Sequence, residues 1–128
     1  MSLEGADALA APDVPHLQRP VIAAAEEVLA SLKLGPRESI KIFGTLSRVS
    51  PEKGLDILLE GFVEAAKRAP YIRLLVIGDC PGEHEKYIKM ITQYIHENGL
   101  DDAVKILGTR EDALEILKSI DYYISPSR

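Results

Sequence analysis

Apolar positions along this chain follow two spacings in turn, and their alternation predicts a mixed α/β fold. Short apolar runs at 40–43, 72–77, 104–107 and 122–124 are predicted strands, and apolar residues at helical spacing predict helices over 55–66, 87–95 and 111–119. The run 72–77 is almost unbroken, which is typical of a parallel strand covered on both faces. The order βαβαβαβ therefore predicts a Rossmann-like parallel sheet with flanking helices and right-handed crossovers.

The segment before the first strand shows a different pattern. Three prolines between residues 12 and 20 are too closely spaced for a helix, whereas the apolar residues from Val21 to Leu34 have helical spacing. Gly35 and Pro36 are a typical helix stop. We therefore expect an irregular arm or linker over 1–20, a linker helix over 21–37 and a Rossmann-like domain over 38–128. The first five residues of the arm are compatible with a cloning remnant.

Length, composition and charge limit the function classes. The chain has 128 residues, 46% of them apolar, which is enough for one domain with its own core. A net charge of −5 argues against non-specific nucleic-acid binding, and a single cysteine, Cys80, excludes an internal disulfide framework. No apolar run approaches the roughly 18 residues that span a bilayer, and no secretory signal is apparent. We expect a soluble cytoplasmic protein.

The predicted sheet indicates where a ligand would bind. Open α/β sheets bind ligands beyond the carboxyl ends of their strands, where the strand order reverses. If the first three strands run outward and the fourth returns beside the first, the crevice lies between the first and fourth strands. The loops that border it are residues 44–54 and 125–128.

The first of these loops carries Arg48 and Lys53, five residues apart, next to the start of a helix. Cations are disfavoured at a helix N-terminus, so their presence there favours an anionic ligand. Arg offers a bidentate fork and Lys a compact charge, and Ser50-Pro51 resembles an N-cap followed by proline at N1. A diphosphate clamp is one interpretation. The alternative is two solvated cations, one of them paired with Glu52 or Asp56.

Two further loops follow strand ends. Gly78, in the segment 78–82, permits a tight turn and close approach of a ligand, although an ordinary strand-to-helix turn is the favoured interpretation. Backbone groups at Gly108, Thr109 and Arg110 would read a nucleobase edge, with helix capping as the alternative.

The remaining candidates are weaker. Ser125 and Ser127 would meet phosphate or ribose, but Ser-Pro also opens ordinary turns. The histidines and Cys80 lack the spacing of metal ligands, so we expect no metal site. The sequence contains no GxGxxG fingerprint, no GxxxxGK[ST] loop and no GxSxG elbow, which weakens dinucleotide, ATPase and serine-hydrolase interpretations.

Five separate motifs occur in the order seen in one enzyme family. They are Gly44 to Gly54, the helix start from Leu55 to Leu59, Leu74 to Pro81, Val104 to Gly108 and Asp121 to Arg128. Together they resemble the C-terminal, donor-binding domain of retaining glycosyltransferases of the GT-B fold, of the family-4 type known as glycosyl transferases group 1. The resemblance covers about residues 38–128.

That resemblance implies a nucleotide-sugar site that works without a metal or a cofactor. Arg48 and Lys53 would stabilise the leaving diphosphate, and the segment after the third strand would contact the base. The residues implied as donor contacts are Gly44, Arg48, Lys53, Gly78, Gly108, Thr109, Arg110, Ser125 and Ser127. The implied partners are an NDP-sugar, such as a UDP- or GDP-sugar, and a saccharide or lipid-linked acceptor held by an N-terminal domain. Nucleic acid is not among them, and membrane contact would concern only a full-length enzyme.

The chain also departs from the family pattern. Cys80 replaces a usual glycine, and the sequence stops at Arg128, before the acidic, glycine-rich loop that grips the sugar. We therefore expect a partial domain that does not catalyse transfer alone. The alternatives are a non-catalytic binding or interaction module of Rossmann-like fold and a relative among the GT-B epimerases or phosphorylases.

Overall fold

A computed structural model describes residues 26–126, which form a parallel sheet with helices on both faces. The strands are β1 (Lys41–Leu46), β2 (Ile72–Ile77), β3 (Val104–Gly108) and β4 (Tyr122–Tyr123). The helices are α1 (Leu55–Arg68), α2 (Glu85–Glu97) and α3 (Ala113–Lys118), and residues 26–31 are also helical. Short 3₁₀ turns lie at Arg37–Ser39, Pro51–Lys53 and Gly82–His84. The predicted α/β, Rossmann-like class is confirmed.

The strand order is β3-β2-β1-β4, and every neighbouring pair is parallel. β1 pairs with β2 from Lys41 opposite Ile72 to Leu46 opposite Ile77, and Phe43 and Gly44 of β1 pair with β4 on its other side. The chain thus moves outward from β1 to β3 and returns to the opposite side of β1. This is the predicted reversal, and it places the crevice between β1 and β4.

The core divides between the two faces of the sheet because successive strand side chains point in opposite directions. Leu74 and Val76 pack with α1 and α2, whereas Leu75 and Ile77 pack with α3 and the N-terminal segment. All four of these β2 side chains are at most 2% exposed. Burial on both faces explains why β2 is an almost unbroken apolar run.

The described part of the N-terminal segment packs on the sheet. Leu29 and Leu34 belong to the core cluster beneath α3, and Arg73 Nε donates to the Leu34 carbonyl oxygen at 2.7 Å. The helix ends at residue 31, before the predicted end at Leu34, because the chain turns through Lys33 at a φ of 56°. Residues 1–25, which include the predicted arm, lie outside the described residues, and the proposed division of the chain stays a prediction.

Several element boundaries differ from the sequence expectation, among them those of β1, α3 and β4. β1 was expected over 40–43 but continues to Leu46, because Thr45 and Leu46 keep the β2 register. α3 begins at Ala113 instead of residue 111, with Asp112 as its N-cap residue. β4 ends at Tyr123, although the Ile124 N–H still donates to the Gly44 carbonyl oxygen at 2.9 Å. Between residues 26 and 126, no helix has both the length and the apolar composition to cross a bilayer.

Candidate functional site

The loop after β1 is fixed to the end of β2 by backbone hydrogen bonds. The Ser47 N–H donates to the Ile77 carbonyl oxygen at 2.9 Å, and the Val49 N–H donates to the Asp79 carbonyl oxygen at 2.8 Å. Gly78 lies between these acceptors with a φ of 146°, and a Cβ there would clash with the Ser47 carbonyl oxygen. Close approach of two chain segments therefore explains this glycine without a ligand.

The same loop reaches α1 through a short turn. Ser50 has extended backbone angles, Pro51 opens a 3₁₀ turn, and Gly54 ends it in the left-handed region with a φ of 74°. α1 begins directly after Gly54. Ser50 thus occupies the predicted N-cap position, but of the 3₁₀ turn, and its side chain makes no capping hydrogen bond. Lys53 lies two residues before the first residue of α1, whereas a helix with Pro51 at N1 would have placed it in the first turn.

The two candidate cations differ in their partners. The Arg48 side chain is 49% exposed, and its Nη2 lies 3.6 Å from Oε1 of Glu83, a carboxylate that is 71% exposed. Lys53 is half-buried and forms no salt bridge with any residue between 26 and 126. The acid that pairs with Arg48 is therefore Glu83, on the turn after β2, not Glu52 or Asp56.

Gly44 lies inside β1 instead of in the loop where the sequence placed it. It is buried, and a Cβ at this position would clash with Ile120 Cδ1 and lie 3.0 Å from Leu117 Cδ2. Packing of the end of α3 and of Ile120 against β1 thus explains this glycine. Its role as a donor contact stays a prediction.

The two loops that border the predicted crevice meet at Gly54. A Cβ on Gly54 would clash with the Pro126 carbonyl oxygen, so the residues after β4 lie directly against the end of the loop after β1. Ser125 is exposed beside this contact, whereas Ser127 lies outside the described residues. The two loops predicted to border one crevice are therefore adjacent.

The loop after β3 joins the same edge of the sheet. The Gly78 N–H donates to the Gly108 carbonyl oxygen at 2.9 Å, and Gly108 has a φ of 72°. Thr109 is exposed, but the Arg110 guanidinium holds the Asp112 carboxylate through Nε at 2.8 Å and Nη2 at 3.1 Å. This hydrogen bonding lowers the pKa of Asp112 and raises the pKa of Arg110. The Arg110 side chain is thus occupied by its own loop.

The structure brings the ends of β1, β2, β3 and β4 into one row, as expected. Gly54 was overlooked as a site residue, although a glycine directly before an apolar helical pattern was a usable signal. No pattern in the sequence indicates that Glu83 reaches Arg48. Cys80 is exposed after Gly78, and its thiol lies 3.9 Å from the Gly78 carbonyl oxygen. The departure from glycine at Cys80 is therefore accommodated at the surface.

A protein-family model decides the family. The model described as "Glycosyl transferases group 1" matches residues 40–128, which is more than half of the chain. The chain belongs to this family. The resemblance stated from the motifs is thereby confirmed, and this group 1 glycosyltransferase domain contains both loops of the crevice within the matched region.

Curated relatives agree with the family assignment. The mannosylfructose-phosphate synthase of Agrobacterium fabrum is 32% identical over 93 residues, which are 69% of this chain and 20% of that protein. The GDP-mannose-dependent monoacylated alpha-(1-6)-phosphatidylinositol monomannoside mannosyltransferase of Corynebacterium glutamicum is 28% identical over 75% of this chain and 24% of its own length. The group 1 domain thus spans about a quarter or less of these two relatives.

Solved structures show the same fold. The crystal structure of Anabaena Alr3699/HepE in complex with UDP and glucose matches with a TM-score of 0.70 and 26% identity, over 82% of this chain and 27% of that one. A glycosyltransferase from Rickettsia africae matches with a TM-score of 0.73 and 19% identity, over 91% of this chain and 28% of that one. The second likeness concerns the fold alone.

Proposed function

We propose that this chain is the nucleotide-sugar-binding part of a glycosyltransferase, and that Arg48 and Lys53 neutralise the diphosphate that leaves when the sugar is transferred. The observation that carries the proposal is the position of these cations. They lie on the loop after β1, at the reversal of strand order, and Lys53 has no salt bridge among residues 26–126. A partly buried lysine without a salt-bridge partner among the described residues favours an anionic ligand.

The local backbone supports the same ligand. α1 has 14 residues, so its dipole places positive potential at its N-terminus, beside Lys53. Arg48 adds a planar donor fork that can hold two phosphate oxygens at once. As the bond to the sugar breaks, negative charge grows on the diphosphate, and fixed positive charge lowers the energy of that state.

The finer features of the reaction are part of the proposal. Positive side chains placed at the diphosphate can take the role that a metal ion has in other phosphate chemistry, so we propose metal-independent transfer. Retention of configuration follows only from the family resemblance. The UDP in the HepE structure supports a uridine or related nucleotide donor, and the relatives that are named as mannosyltransferases support a sugar nucleotide in general. Gly108 and Thr109 are proposed to contact the base, and Ser125 and Ser127 the phosphate or ribose.

Calorimetric titration of the full chain with UDP, GDP and ADP tests the proposal. We expect saturable binding, and the double variant Arg48→Ala with Lys53→Ala should weaken it by at least about 100-fold, because each charge-assisted contact contributes roughly 1.5–3 kcal/mol. The matched control is Lys67→Ala with Arg68→Ala, which removes the same charge from the other end of α1, where both side chains are exposed. The control should change affinity by less than about threefold.

Two results would contradict the proposal. A well-folded sample without nucleotide binding would favour a non-catalytic module of the same fold. Equal losses of affinity in both double variants would mean that only the net charge of the chain affects binding.

Binding measured with and without EDTA tests metal independence, and the affinity should not change. Sugar transfer is expected to need acceptor-binding residues outside this chain, so transfer by these 128 residues alone would contradict that part of the proposal.

A further inference from the structure

The turn after β2 brings a carboxylate close to the loop after β1, which carries Arg48 and Lys53. Gly82–His84 forms a 3₁₀ turn whose central residue is Glu83, and the Glu83 carboxylate lies 3.6 Å from Nη2 of Arg48. The hydrogen bond from Val49 to the Asp79 carbonyl oxygen, 2.8 Å long, holds the two segments side by side. The arrangement places Glu83 against the guanidinium that, in the proposed function, meets the diphosphate.

The contact has the properties of an exchangeable pair. Its shortest N–O distance of 3.6 Å exceeds that of a hydrogen bond, and the side chains of Arg48 and Glu83 are 49% and 71% exposed. By contrast, Arg110 and Asp112 form two contacts of 2.8 and 3.1 Å. A loose, solvated pair of this kind is readily displaced by a ligand that carries more negative charge.

A second carboxylate adds to the negative charge around Arg48. The pKa of Glu52 is lowered chiefly by a backbone hydrogen bond, and the Arg48 charge contributes to that lowering. Glu83 and Glu52 therefore both lie within electrostatic reach of one guanidinium. A diphosphate that binds Arg48 therefore competes with the Glu83 carboxylate for the guanidinium.

We propose that Glu83 is an internal counter-anion for Arg48, which competes with the diphosphate of the nucleotide and speeds its release. The inference rests on the proposed function, since it concerns the same site. When the nucleotide dissociates, Glu83 re-forms its pair with Arg48, so the guanidinium is never left uncompensated. Glu83 thus weakens binding of the product and shortens its residence time, while the clamp itself remains intact.

The test uses Glu83→Gln in the full chain, with UDP as the probe. We expect about a twofold to fivefold lower dissociation constant, which is the range of an exposed ion pair, and most of the change should appear as slower dissociation in stopped-flow displacement. The matched control is Glu64→Gln. Glu64 is 73% exposed and pairs with Lys67 at 3.0 Å on α1, so the control removes the same charge from a comparable exposed pair elsewhere.

A double-mutant cycle connects the effect to Arg48. In an Arg48→Ala background, Glu83→Gln should tighten UDP binding by less than about 1.5-fold, because the competing pair no longer exists. If the wild type binds UDP and Glu83→Gln binds it with the same affinity, this inference is overturned and the proposed function stands. An equal gain with and without Arg48 also overturns it, since it would indicate general repulsion. Absence of UDP binding in both the wild type and Glu83→Gln overturns the proposed function and this inference together.

Discussion

The loops after β1 and β3 have similar sequences but use their arginines differently. Each contains a glycine near the strand end and an arginine soon after it, and each lies at the same edge of the sheet. Arg48 lies 3.6 Å from the exposed carboxylate of Glu83, which belongs to another loop. Arg110 instead forms hydrogen bonds of 2.8 and 3.1 Å with Asp112 of its own loop. Only the first arginine remains ready to exchange its partner for a ligand.

The difference shows that the neighbours of a basic residue decide its function more than its position after a strand does. Asp112 follows Arg110 by two residues, so the pair closes within the loop and stiffens the approach to α3. The acidic residue that follows Arg48 most closely, Glu52, is not its salt-bridge partner, and the acid that is, Glu83, comes from another loop. The Arg110 pair is short and lies within one loop, whereas the Arg48 pair is longer and joins two loops.

The largest effect is expected at Gly78, which serves both loops. Gly78→Ala would bring a Cβ against the Ser47 carbonyl oxygen at a φ of 146°, and it would disturb the hydrogen bond from the Gly78 N–H to Gly108. We expect a loss of roughly 3 kcal/mol in the free energy of unfolding, measured by urea denaturation. Gly82→Ala is the control, because a Cβ there meets nothing within 4 Å, and it should cost less than about 1 kcal/mol. Similar losses in both variants would show that the loops do not depend on this close approach.

A second experiment compares the two arginines directly. Arg48→Ala should weaken UDP binding by about tenfold or more, since it removes a charge-assisted contact. Arg110→Ala should change the affinity by less than about threefold, because its guanidinium is already engaged by Asp112. Calorimetry of the two variants at one ionic strength decides the matter. A larger loss for Arg110→Ala would reverse the roles that the geometry assigns to the two loops.

The smallest expected effect concerns the pH dependence of the Arg110–Asp112 pair. The pKa of Asp112 is lower in the folded chain than its ordinary value, chiefly through its hydrogen bonds from Arg110. Its contribution is therefore complete above about pH 4 and is lost as the pH falls through the folded pKa. Because the pair is one-third exposed, the contribution should stay below about 1 kcal/mol.

Asp112→Asn checks this contribution. The difference in unfolding free energy between the wild type and Asp112→Asn should shrink as the pH falls below about 4. Asp102→Asn, at an exposed carboxylate without a salt bridge among residues 26–126, controls for the change in net charge. A pH-independent difference for Asp112→Asn would show that the carboxylate charge does not matter to the loop.

Hydrophobic periodicity predicted the sheet well, because burial on two faces leaves a strong pattern. β2 has the predicted bounds, and the strand order places the first and fourth strands together as expected. The end of β1 was missed because Gly44 reads as a strand terminator, whereas the structure uses it to admit Leu117 and Ile120. Arg48 and Lys53 could be chosen from their position before a helix. The contact of Arg48 with Glu83 could not be predicted from the sequence, because it joins two loops that only the folded sheet brings together.

The contact between Gly54 and the Pro126 carbonyl oxygen has a genetic consequence. Every missense change of a glycine codon adds a Cβ, so no amino-acid substitution at Gly54 can keep both its left-handed backbone and its contact with the segment after β4. Gly61, where a Cβ would meet nothing within 4 Å, carries no such restriction. In a saturation library selected for nucleotide binding, Gly54 should therefore be depleted of all replacements, while Gly61, only two turns along α1, should accept many. Any side chain at Gly54 would push apart the loop after β1 and the segment after β4.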